Sequence, residues 1–266
     1  MSNLSLRILT ALVLVGALSG VLFALSAAAA AVAFALVAAL AAWEWAGLMK
    51  KDRPARLMYA ALLLLFCWQL RVGAPALLPG LLFIATGFWI LLAPAWLRRG
   101  WTLAGNDFVA YALGLLLLLA TWAALLALYA LGPWVLLATM ALVWVADIAA
   151  YAAGRAWGRR KLAPRISPGK TWEGVAGAMV GVLLYGIVIW LAMPVAQRPP
   201  APWLLVLPIL TAISIVGDLF ESLLKRQAGV KDSSGLLPGH GGVLDRIDSL
   251  TATLPLAALL LYYMRG

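Results

Sequence analysis

The chain reads as an all-α, polytopic integral membrane protein with about nine transmembrane helices. Apolar residues make up 65% of its 266 positions and charged residues 11%, and the mean hydropathy is +1.00. The apolar residues gather into repeated runs of about 18 or more, the length that crosses the hydrocarbon core of a bilayer as a helix. Lys and Arg fall on alternate connections between these runs, as they do in proteins that thread a membrane.

The expected spans are, in order, 6–26, 28–48, 57–72, 75–97, 108–131, 134–153, 174–195, 203–224 and 249–264. The first carries Arg7 before an apolar run that ends in Ala-rich sequence, features also shared by a secretion signal; the apolar character continues to Leu48, which favours a retained span. The second closes on Trp43, Glu44 and Trp45, and the third is short. The fourth ends at Arg98 and Arg99 and the fifth begins beside Asp107. The sixth, eighth and ninth carry carboxylates at or inside their ends, and the seventh follows Lys170 and Thr171. With the N-terminus taken as cytoplasmic, only Arg71, Arg198 and Arg265 fall outside, leaving the other 17 of 20 Lys and Arg inside. That bias supports an odd number of spans and a C-terminus outside; the expected location is an inner, cytoplasmic membrane with the active site facing the cytoplasm.

No soluble domain can stand alone. The longest polar segments, 154–171 and 225–248, fall far short of the roughly 50 residues that support an independent core. The chain divides into residues 1–131, structural or lipid-facing, and 132–266, which holds both polar loops. Cys67 is the single cysteine, which excludes internal disulfides, cysteine-based zinc sites and CxxC redox pairs. The net charge of +10 follows from topology: the basic residues are dispersed over short loops against a membrane, and no nucleic-acid surface is expected.

Seven of the ten acidic residues lie between Asp147 and Asp248, and topology does not explain them. Asp147 and Asp218 sit several residues inside their spans, where an ionised carboxylate costs about 2 to 3 kcal/mol unless compensated, so each marks a functional site. Helical spacing puts Asp218, Glu221 or Ser222, and Lys225 on one stripe, pairs Asp245 with Asp248, and pairs Asp147 with Tyr151. Oxygen ligands without cysteine and with one histidine suit a hard cation such as Mg2+. The alternative is a set of salt bridges, Asp218 with Lys225, Asp245 with Arg246 and Asp147 with Arg155. Neighbouring carboxylates at 218, 245 and 248 would repel one another unless a cation lies between them. Glu44, Asp52 and Asp107 show no such grouping and read as interface residues.

Lys225, Arg226 and Lys231 place cations beside these carboxylates, and "PGHGG" offers backbone N–H groups that an anion can approach closely. His240 reads as a hydrogen-bonded loop residue or, less simply, a ligand. "RISPGKTWEG" brings Lys170 and a helix-start signal at Ser167 and Thr171, where free N–H groups and the helix dipole would favour an anion.

The stretch "SLLKRQAGVKDSSGLLPGHGGVLDRID", residues 222–248, resembles the signature of the phosphatidate cytidylyltransferases over 27 residues. "DIAAYAAGRAWGRRKLAPRISPGKTWEG", residues 147–174, looks like that family's second recurring block. The resemblance implies transfer of a cytidylyl group from CTP to phosphatidate, with Mg2+ and a second cation, K+, at a paired centre, in a homodimer. Asp218 and Asp245 would be metal ligands with Asp248 supporting them. Lys225, Arg226, Lys231 and Asp232 would form the phosphate pocket, with His240, Gly241 and Gly242 beside it. Asp147, Ser167, Lys170 and Thr171 would bind nucleotide. Two other classes share features: a CTP-dependent lipid kinase of the dolichol-kinase type, which would attack the γ-phosphorus, and an ion-coupled transporter, which should show a repeated half and mid-membrane sites.

Overall fold

The computed structural model describes residues 3–195 and 201–263. Arg198 and Arg265, expected on the outer side, and Met264, the expected end of the last span, lie outside the described residues. The described residues hold ten α-helices: α1 (Asn3–Phe23), α2 (Ala27–Leu48), α3 (Arg53–Val72), α4 (Leu78–Gly87), α5 (Ala93–Arg99), α6 (Asp107–Leu131), α7 (Pro133–Trp157), α8 (Trp172–Ala192), α9 (Val206–Ala228) and α10 (Leu244–Tyr263). Among the described residues, eight helical stretches are long and apolar enough to cross a membrane.

The ninth expected span corresponds to α10, which is less apolar because Asp245, Arg246 and Asp248 occupy its first turns. Its 20 residues measure about 30 Å. Residues 249–259 are buried by protein rather than lipid, against α9, α6 and α4, so the helix need not be apolar all round. Thr251 and Thr253 return their hydroxyls to the carbonyls of Asp248 and Ser249 at 2.7 and 2.9 Å, so neither buries an unmade hydrogen bond.

Sequence and structure differ locally, each time for a visible reason. α3 starts four residues before the expected 57 because Asp52 caps it, accepting from the Ala55 amide at 3.1 Å, with Pro54 in the first turn. The fourth span is composite: a 3-10 turn (Pro75–Leu77), α4, a π turn (Phe88–Leu92) and α5. Pro94 supplies no N–H there, and the ladder widens so that the Ala93 amide reaches the Phe88 carbonyl. The 154–171 segment is partly helical, because α7 continues to Trp157, and it then forms a small antiparallel hairpin. In it β1 (Lys161–Ala163) pairs with β2 (Ser167–Thr171), Lys161 opposite Thr171. Ser167 therefore opens a strand, and Thr171 alone is the N-cap of α8, accepting from the Gly174 amide at 3.1 Å.

α7 and α8 form the most extensive helix pair because small residues face each other. A Cβ on Gly177 would come 2.9 Å from the Ala149 carbonyl oxygen, a contact only glycine permits. The connections rich in Lys and Arg meet at one end of the bundle. Lys51 pairs with Asp107 at 2.6 Å, Gln227 donates to the Trp101 carbonyl at 2.7 Å, and Arg226 donates to the Ile166 carbonyl at 3.3 Å. Thr10 of α1 donates to the Pro238 carbonyl at 3.0 Å. The helix ends that carry the carboxylates lie at this same end.

Candidate active site

One side of the site is a cavity of about 430 Å³ between α7, the hairpin, the start of α8 and α9. Asp147 and Tyr151 of α7, Ser167, Lys170 and Thr171 of β2, and Asp218 of α9 line it. Lys170 forms an ion pair with Asp218. The other Asp218 oxygen accepts from Ser222, one turn on, at 3.3 Å. Asp147 is exposed to the cavity.

The other side is built from α9, the glycine-rich loop and α10. Lys225 pairs with Glu221 one turn earlier and with Asp245 at 2.6 Å. The remaining Asp245 oxygen accepts from the amides of Ser233 and Gly242 and from the Ser233 hydroxyl, each at 2.8 Å. Gly217 lets the helices meet: a Cβ there would lie 2.8 Å from that of Ala252 and 2.9 Å from the Asp248 carbonyl oxygen. The Asp248 carboxylate accepts from the Ser249 amide at 2.7 Å and lies within electrostatic reach of Asp218, Asp147 and Lys225.

The sequence pattern described as "Cytidylyltransferase family" matches residues 5–264. The chain belongs to the cytidylyltransferase family. It is 42% identical over 261 residues to a phosphatidate cytidylyltransferase of Pseudomonas aeruginosa, with 96% of each chain covered. It is 39% identical over 277 residues to one of Brucella suis, covering 98% of this chain and 93% of that one. A Haemophilus influenzae phosphatidate cytidylyltransferase is 47% identical over 136 residues, 50% of this chain and 47% of that one.

For this member of the cytidylyltransferase family, a hard cation suits the donor chemistry. Asp147, Asp218 and Asp248 are oxygen donors within electrostatic reach of one another, and such a group needs positive charge among its members. Lys170 and Lys225 supply that charge in the present arrangement. Among the described residues, no three Asp, Glu, His or Cys side chains converge into a ready metal cage. Asp245 fits as a ligand least directly, since Lys225 and three hydrogen bonds occupy its oxygens.

The ion pairs differ from those that spacing suggested. Asp218 meets Lys170 across the cavity rather than Lys225 on its own helix, and Arg155 pairs with no carboxylate among the described residues but donates to Tyr151 at 3.0 Å. Two expected anion cradles also turn inward. At the start of α8 the Gly174 amide goes to Thr171, the Trp172 amide to the Arg160 carbonyl, and Glu173 takes the Arg159 and Arg160 amides. In "PGHGG" the His240 amide closes a turn onto Leu237 at 2.8 Å, and the Gly242 amide goes to Asp245. Gly241 takes φ +80°, and a Cβ there would lie 2.7 Å from Asp245 Oδ2, so glycine lets the chain wrap that carboxylate. Of the nearby cations, Lys170 and Lys225 are held in ion pairs with carboxylates. Arg226 and Lys231 are exposed, as is Asp232.

Glu44 overturns its reading as an interface residue. It is fully buried and hydrogen-bonded to the 233–244 loop. The signal was present, since Glu44 lies one turn inside the end of an apolar run, as Asp147 and Asp218 do. The flanking tryptophans suggested a membrane-surface belt instead.

Proposed function

We propose that this chain transfers the cytidylyl group of CTP to phosphatidate, giving CDP-diacylglycerol and pyrophosphate, at the cytoplasmic face of a bacterial inner membrane. The observation that carries the reading is that α9 joins two charged clusters at the basic end of a membrane bundle: Lys170 paired with Asp218 on the cavity wall, and Lys225, two turns further along, paired with Glu221 and Asp245. Membership of the family over nearly the whole chain supports it.

The chemistry needs no enzymic nucleophile. Phosphatidate is a phosphomonoester already ionised near pH 7, so one of its oxygens attacks the α-phosphorus as the bond to pyrophosphate breaks. Catalysis then consists of aligning two polyanions and neutralising charge on the leaving group. Asp147, Ser167, Lys170 and Thr171 take the nucleotide side, around the cavity. Lys225, Arg226 and Lys231 take the phosphates on the loop side, with Asp232 and His240 at its rim. Asp218, Asp245 and Asp248 are the proposed oxygen donors for Mg2+, with K+ as the second cation; bound there, Mg2+ would stabilise charge on the departing pyrophosphate. Residues 132–266 carry the chemistry and 1–131 the frame.

The test follows which phosphorus is attacked. Purified protein with phosphatidate, Mg2+ and CTP labelled at the α- or γ-position should place α-label alone in the lipid phase, with inversion at phosphorus. Label from the γ-position in lipid would establish kinase chemistry, and no label from either would return ion-coupled transport to consideration.

A further inference from the structure

Glu44 stands near the end of α2, in the half of the chain without signature residues. Its carboxylate is 0% exposed, and an isolated ionised carboxylate in such a place is strongly unfavourable unless hydrogen-bonded. It has four donors. The Ser233 and Ser234 hydroxyls reach it at 3.1 and 2.5 Å, and the Val243 and Leu244 amides at 2.9 and 2.6 Å. Those two amides open α10, so a residue of α2 caps a helix 200 positions away in sequence, where the helix dipole favours negative charge.

The junction is built tightly. Trp45 donates to the Ala110 carbonyl at 3.0 Å, and Arg56 donates to the Trp43 carbonyl at 3.0 Å while covering the Trp43 ring, so the end of α2 is fixed from two sides. A Cβ on Gly242 would collide with the Ser233 hydroxyl and the Glu44 carboxylate. Ser233 also lies 2.8 Å from Asp245, so its single hydroxyl proton is shared between Glu44 and Asp245.

We propose that Glu44 is a positioning residue for the transfer reaction: by clamping the 233–244 loop onto α2, it sets the orientation of Asp245 and, through it, of Lys225. This rests on the function proposed above. It also divides the site. The four donors to Glu44 all belong to the loop side, and none to α7 or the hairpin, which form the nucleotide side.

The experiment compares Glu44→Gln, Ser233→Ala, the double variant and Gly242→Ala with wild type, by labelled-CTP turnover per folded molecule and by amide hydrogen exchange. In Glu44→Gln, kcat should fall about 10- to 100-fold, the range for groups that orient a functional carboxylate. The KM for CTP should change by less than about threefold, because the nucleotide side is untouched. Exchange should rise across 232–245 and stay unchanged in α7 and α8, and Gly242→Ala should show the same local rise. The double variant should lose little more than the larger single loss, because both act through one contact. Wild-type turnover and exchange in Glu44→Gln would overturn the proposal, as would a loss accounted for by unfolded protein, faster exchange throughout the bundle, or additive effects of the two substitutions. If wild type transfers no α-label, the functional reading fails, while the exchange comparison still decides the clamp.

Discussion

Lys225 offers the sharpest separation of stability from catalysis. Its side chain is 13% exposed, and those of Glu221 and Asp245 are 5% and 3%. At 2.6 Å from Asp245, and with an effective dielectric near 20, the Coulomb attraction is about 6 kcal/mol before desolvation is subtracted. Lys225→Met keeps the length and apolar stem of the side chain but leaves two buried carboxylates facing each other. Removing one partner of a buried pair costs about 3 to 5 kcal/mol, and here one cation serves two anions. Reversible unfolding in mixed detergent should register that loss, with labelled-CTP turnover measured on the folded fraction. Adding Glu221→Gln should restore about half of the lost stability or more, because one uncompensated charge disappears. Turnover should stay depressed by about a hundredfold in both if, as proposed above, Lys225 meets the transferred phosphate. A Lys225→Met protein within about 0.5 kcal/mol of wild type with normal turnover would refute both parts of the argument. Recovery of turnover along with stability in the double variant would reduce Lys225 to a structural residue.

Asp218→Asn and Asp248→Asn should each lower turnover by about a hundredfold or more at ordinary Mg2+ while the protein still inserts. Asp107→Asn, which removes only the exposed pair with Lys51, should turn over within about twofold of wild type, since such pairs contribute little; near-normal rates in the first two would remove them from the proposed centre. Reporter fusions should place Lys231 in the cytoplasm and the turn at Gly132 on the opposite side, and a shared location for the two would contradict the threading of α6 and α7.

The sequence alone determined the solvent, the long helices and the class of chemistry. Long apolar runs leave helices as the economical solution in lipid, because every backbone group must be satisfied within its own segment. The alternation of Lys and Arg marks which ends share a side, and the carboxylates of 147–248 announce a site because lipid makes them costly. Local signals fixed details too: of Ser167 and Thr171, the two residues read as a helix start, Thr171 caps α8. The tertiary structure decided which groups meet. Spacing along one helix offered Lys225 to Asp218, but the approach of the hairpin gave Asp218 to Lys170 and freed Lys225 to bridge Glu221 and Asp245. Glycines in "PGHGG" read as an open cradle, whereas folding turned the amides of Gly242, Val243 and Leu244 onto Asp245 and Glu44. Glu44 shows the limit most clearly: its partners lie about 200 residues away, and nothing in the local pattern of α2 could name them. Burial, charge and periodicity are properties of a segment and can be read from it, while a hydrogen bond between distant segments exists only once the bundle has brought their ends together.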